Sequence, residues 1–193
     1  MLIQNDISIE QLLRDKEYER KNNLTREMLE KYLKSYRFKL EELGLVFDKK
    51  IEKELREIIE ISLAKNFVFR GDSRHPYAKS KYDKSMGIKK GIFEVGFNDE
   101  ESQYGGVYST ADIHRALDYP HEKDMPKEWD NQKFVYFIDS KAVDYLDLRD
   151  AKESKNNNEL VAGEIPPEYI EYAIQIDNKT GRVIEIFINN KKK

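Results

Sequence analysis

The chain has 193 residues, enough for one domain with a buried core plus an appended region. Its 34 Lys and Arg against 37 Asp and Glu leave a formal charge of -3, which gives no general electrostatic reason to bind nucleic acid or anionic lipid. Charged residues reach 37%, yet 12 Tyr and 9 Phe supply the bulk that a disordered chain lacks, while zero cysteines and three scattered histidines offer no disulfide framework and no zinc-binding pattern.

At the N-terminus Asn5, Asp6 and Glu10 stand where a secretory signal needs basic residues and an unbroken apolar run. No stretch approaches the roughly 18 apolar residues of a membrane span. The expectation is a soluble protein, cytoplasmic as encoded, with no membrane partner; delivery into a target cell by a dedicated secretion machine stays open. Over residues 7 to 65 the apolar positions keep a helical period. Leu24, Met28, Leu29, Tyr32, Leu33, Tyr36 and Leu40 form one stripe, and Ile51, Leu55, Ile58, Ile59 and Leu63 a second. Helices are predicted over roughly 8–20, 25–43 and 49–65, with Thr25 and Asp48 as N-caps and Gly44 ending the second.

After Asn66 the rhythm turns to short β-rich runs: Phe67 to Phe69, Gly106 to Tyr108, Phe134 to Ile138, Tyr169 to Ile176 and Val183 to Ile188. Asp177-Asn-Lys-Thr-Gly181 predicts a hairpin turn and an antiparallel terminal pair. Polar stretches at 98–104, 120–131 and 151–158 are candidate binding loops. The fold class is α+β, with a helical N-terminal region at 1–65 and a mainly antiparallel sheet domain at 66–193.

Three separated segments carry candidate chemistry. In Phe67-Val-Phe-Arg70-Gly71-Asp72-Ser-Arg74 an arginine ends a β run. Its planar fork suits phosphate or ribose oxygens, and Gly71 admits a ligand close to the backbone; the alternative is a surface arginine paired with Asp72. In Gly105-Gly-Val-Tyr-Ser109-Thr110-Ala111 a strand leads into a helix beginning near Asp112. Ser109 and Thr110 either cap that helix or orient a carboxylate. In Asn156-Asn-Asn-Glu159-Leu-Val-Ala-Gly-Glu164-Ile-Pro-Pro-Glu168-Tyr-Ile170 an acid precedes an apolar run and a Pro-Pro turn.

In this order the segments resemble the NAD-dependent ADP-ribosyltransferases of the cholera, heat-labile enterotoxin and pertussis type. Arg70, Asp72 and Arg74 match the family's Arg-x-Asp-x-Arg opening, and Ile92 to Phe97 resembles its continuation. Ser109 and Thr110 match the first two positions of Ser-Thr-Ser, with Ala111 in the third. Glu159 matches the catalytic glutamate ahead of an Ile-Pro-Pro turn, and Asn157 holds the acceptor-directing position two residues upstream. Glu164 and Glu168 are further acids, better suited to turn and surface roles.

The resemblance implies a split-sheet catalytic domain that takes NAD as substrate, without a metal, and transfers ADP-ribose to an acceptor, a protein in preference to a nucleic acid. It implies a bacterial toxin or effector. Glu159, Arg70 and Ser109 would be catalytic, and Arg70, Gly71, Asp72, Arg74, Ser109 and Thr110 would bind NAD. Tyr104, Tyr108 and Phe97 are candidates either for stacking on nicotinamide or for core packing. Two alternatives are an NAD-binding module without transfer and a helix-mediated interaction protein.

Overall fold

The computed structural model describes residues 21–22, 26–98, 107–119, 132–143, 145–147 and 159–190. The predicted helix at 8–20, the Thr25 cap, Tyr104, Asn157 and most of the three polar stretches lie outside them. The fold is α+β. Helix α1 spans Arg26–Ser35, α2 Lys49–Lys65, α3 Lys81–Ser85, α4 Ile92–Val95 and α5 Ile113–Asp118. The strands are β1 (Lys21–Asn22), β2 (Phe67–Asp72), β3 (Phe97–Asn98), β4 (Val107–Ser109), β5 (Gln132–Asp139), β6 (Tyr145–Asp147), β7 (Glu159–Ala162), β8 (Glu164–Ile165), β9 (Ile170–Asp177) and β10 (Val183–Ile188).

A central sheet in the order β10-β9-β5-β2 is antiparallel throughout, and a second sheet runs β1-β6-β7-β4; β3 pairs with β8 alone. The two four-stranded sheets touch where their edges meet. Phe69 and Thr110 exchange backbone hydrogen bonds of 2.7 and 2.8 Å, the one bridge between β2 and the end of β4 among the described residues.

Both faces of the central sheet are covered, which explains why β5 reads as an unbroken apolar run rather than an alternating one. Val68, Phe134, Tyr136 and Ile138 face Leu29, Tyr32 and Leu33 of α1 together with Phe93, Phe97 and Leu160. Phe69, Val135, Phe137 and Ile174 face Phe38, Leu40, Leu55, Ile58 and Ile59, with Ile113 and Leu117 of α5. Among the described residues, the two helical stripes of the N-terminal region pack against the sheet.

Helix α2 matches its predicted limits, and the Asp48 carboxylate caps it by accepting from the Lys50 and Ile51 amides, each at 2.9 Å. The predicted helix over 25–43 is instead broken. It stops at Ser35, whose hydroxyl donates to the Tyr32 carbonyl at 2.7 Å, and resumes as a 3-10 turn at Leu40–Leu43 before Gly44. The physical reason is the two-sided core: Leu29, Tyr32 and Leu33 serve one face of the sheet, whereas Phe38, Leu40 and Leu43 serve the other. A straight helix would keep one face, so the chain unwinds at 36–39 to pass the β2 edge, where Phe38 meets the Phe69 ring edge-on at 5.7 Å.

Candidate functional site

The site lies where β2 and β4 approach. Arg70 points from β2 toward the second sheet and its Nη1 donates to the Tyr108 carbonyl at 2.5 Å. Across β4, the buried Ser109 hydroxyl donates to the Leu160 carbonyl at 3.1 Å, and Ser109 is the register partner of Leu160 in the β4–β7 ladder. Leu160 follows Glu159, whose backbone starts β7 opposite Asp147 of β6. Arg70, Ser109 and Glu159, far apart in sequence, thus sit on three strands cross-linked by two side-chain-to-backbone hydrogen bonds.

The acid of the opening motif has a supporting place. Both Asp72 oxygens accept from the Arg74 guanidinium, from Nε and Nη2 at 3.0 Å each, and Oδ1 also accepts from the Arg74 amide at 3.0 Å. Arg70 Nε lies 3.4 Å from Asp72 Oδ2. Burial alone would raise the Asp72 carboxyl, but the charge and hydrogen bonds of Arg74, aided by the charge of Arg70, hold it below its ordinary value. Asp72 therefore stays ionised and is occupied in holding the two arginines.

Phe97 packs against both arginines. The Arg70 and Arg74 guanidinium carbons lie 4.9 and 5.1 Å from its ring centroid, within cation–π range. At 2% exposure this ring has no face left for nicotinamide, which settles its two sequence readings in favour of packing. The neighbouring Tyr136 is fully buried; its hydroxyl donates to the Arg74 carbonyl at 2.6 Å, and burial, reinforced by the Asp72 charge, pushes its phenol well above the ordinary value. Tyr108 is half-buried on β4.

Gly71 provides close approach, and what approaches is protein. A Cβ there would lie 2.2 Å from the Tyr119 carbonyl oxygen and 2.4 Å from that of Ala116, so the glycine seats the end of α5 on β2. Neither Ser109 nor Thr110 caps α5. Asp112 does so, accepting from the His114 amide at 3.0 Å, while the Thr110 hydroxyl accepts from the Asp112 amide one step earlier, also at 3.0 Å. Ala111 is buried in the core beside them. Glu164 and Glu168 are exposed, on β8 and in the turn that follows.

Two features escaped the sequence reading. The contact of Phe97 with two arginines had no local signal, because those arginines lie more than twenty residues upstream. Asn189, which donates through Nδ2 to the Pro167 and Ile170 carbonyls at 2.8 and 2.9 Å, follows the last strand with nothing to mark it. Among the described residues no three His, Asp or Glu side chains gather as metal ligands would, and no helix is long and apolar enough to cross a membrane. No family model matches the chain, and no curated protein matches it significantly.

Proposed function

We propose that this protein cleaves NAD at the bond between ribose and nicotinamide and transfers the ADP-ribose to an acceptor, a protein in preference to a nucleic acid. The supporting observation is the convergence of Arg70, Ser109 and the start of β7 at Glu159 through the Arg70–Tyr108 and Ser109–Leu160 hydrogen bonds. Segments that share only their order in the sequence share a place in the fold.

The roles follow from the chemistry. As the ribose C1′–nitrogen bond breaks, nicotinamide leaves with the bonding pair and positive charge builds on the ribose ring. A fixed carboxylate stabilises that charge, the demand that glycosidases meet with an acid pair, and Glu159 is the group for it. The acceptor nucleophile then bonds C1′ and loses its proton. Arg70, about one-quarter exposed at its side chain, offers a planar guanidinium suited to anchoring a phosphate or ribose oxygen. Ser109 acts on β7 through the Leu160 carbonyl, holding the strand that carries Glu159. A toxin or effector role belongs to the same proposal and rests on the family resemblance.

The test is nicotinamide release from NAD by the purified chain, with cell lysate as a source of acceptors, beside Glu159→Gln and Arg70→Ala. Loss of a preorganised electrostatic group predicts a fall of about a hundredfold or more for Glu159→Gln. Release unaffected by that substitution removes Glu159 from the mechanism. No release from the wild type, with NAD still raising its melting temperature, replaces transfer with NAD binding alone; neither effect removes NAD altogether.

A further inference from the structure

We infer that Phe97 is a positioning residue that sets the Arg70 guanidinium, and that the Ile165-Pro166-Pro167 turn sets Phe97, making the arginine of β2 and the turn that follows Glu159 one mechanical unit; its consequence for NAD rests on the reading proposed above.

Arg70 is held unevenly. One hydrogen bond runs from Nη1 to Tyr108, Nε faces Asp72 at 3.4 Å without a hydrogen bond, and the remaining hold is the Phe97 face at 4.9 Å. Arg74 shares the same ring at 5.1 Å but is fixed independently by its two hydrogen bonds to Asp72. Loss of the ring therefore loosens Arg70, left with the Tyr108 hydrogen bond and the Asp72 ion pair, more than it loosens Arg74.

Phe97 in turn has no freedom of its own. Its β3 strand pairs with β8, Phe97 opposite Ile165. The preceding Gly96 takes φ 74 and ψ -158, a conformation restricted to glycine, and a Cβ there would meet the Ile165 carbonyl oxygen at 2.2 Å. The Tyr136 ring blocks a further side, edge-on at 5.2 Å. The turn itself is clamped by Asn189 through the Pro167 and Ile170 carbonyls. Contact passes without a gap from Asn189 to the turn, to Gly96 and Phe97, and to Arg70.

The experiment uses the ¹⁵N-labelled full chain and follows the arginine Nε–Hε resonances, assigned with Arg70→Lys and Arg74→Lys. In the wild type both signals are shifted by the Phe97 ring current and are ordered. In Phe97→Leu the Arg70 signal loses its ring-current shift and gains mobility while that of Arg74 stays ordered, and Phe97→Trp restores Arg70. Asn189→Ala, which touches neither guanidinium, moves the Arg70 signal as well and keeps the question answerable if Phe97→Leu does not fold. For nicotinamide release, Phe97→Leu raises KM for NAD about tenfold with little change in kcat, the mark of lost ground-state positioning. An Arg70 signal that stays ordered in Phe97→Leu overturns the inference whatever NAD does. A signal that gains mobility in a protein whose wild type never cleaves NAD upholds the positioning and removes the NAD reading alone.

Discussion

Replacing Gly71 by alanine separates steric room from backbone freedom. The added Cβ would stand 2.2 Å from one backbone oxygen of the α5 end and 2.4 Å from another, where relaxed contact needs roughly 3.5 Å, so β2 and α5 must part by about 1 Å. Neither obstacle is the tip of a side chain that could rotate away. Overpacking of this kind costs about 1–3 kcal/mol, and two backbone obstacles place Gly71→Ala near the top, at ~3 kcal/mol. For a chain of this length that lowers Tm by about 6–12 °C. Gly44→Ala is the control: at φ 64 with nothing within 4 Å, it carries only the left-handed backbone penalty of about 1 kcal/mol. Both variants are measured by calorimetry in one buffer. A Tm loss for Gly71→Ala no larger than that for Gly44→Ala refutes the seating of α5 on the glycine.

Two further outcomes follow from buried polar groups. Asn189→Ala leaves the Pro167 and Ile170 carbonyls without their shared donor and lowers stability by about 2 kcal/mol in urea denaturation; a loss below roughly 0.5 kcal/mol means water replaces the amide without penalty. His75, its ring edge-on to Phe134 and Phe187, is held below the ordinary imidazole value by burial, against the opposing charge of Asp83 and with help from Lys79. The unfolded chain then takes up a proton near pH 6.5 that the folded chain refuses, so this contribution is intact above about pH 7 and is lost as pH falls through the depressed folded value. His75→Gln is expected to flatten the fall in Tm between about pH 7 and 5, and a constant gap between wild type and variant across that window contradicts the assignment.

Much of the fold was legible because local signals agree with it. Asp48 and the Ile51 to Leu63 stripe define α2 without help from the rest of the chain, and Asp177 to Gly181 forms the hairpin turn, with the Gly181 amide donating to the Asp177 carbonyl at 2.9 Å. The break at 36–39 was not legible, since Tyr36 and Leu40 extend the helical period while the second face of the sheet exists only in three dimensions. Strand β7 was hidden for a related reason: Leu160-Val-Ala is too short to show a period, and its partners Val107 to Ser109 come from about fifty residues earlier. Of the candidate site, the segments were readable as candidates, and the hydrogen bonds that link them were not. Asp72 and Gly71 look like ligand contacts in sequence; in space one restrains arginines and the other receives a helix.

The order of strands in the central sheet has a consequence for how the chain is made. Only β9 and β10 are joined by a short turn; β2 must wait for β5, and β5 lies between β2 and β9. On a ribosome, the N-terminal helices and the Phe67-Val-Phe edge emerge well before β5 and β9, whose apolar residues complete both clusters. The terminal hairpin forms in microseconds, but docking it onto β5 closes a long loop. Assembly of the two-sided core is thus a late event, and the interval before it is when the nascent chain is most exposed to aggregation.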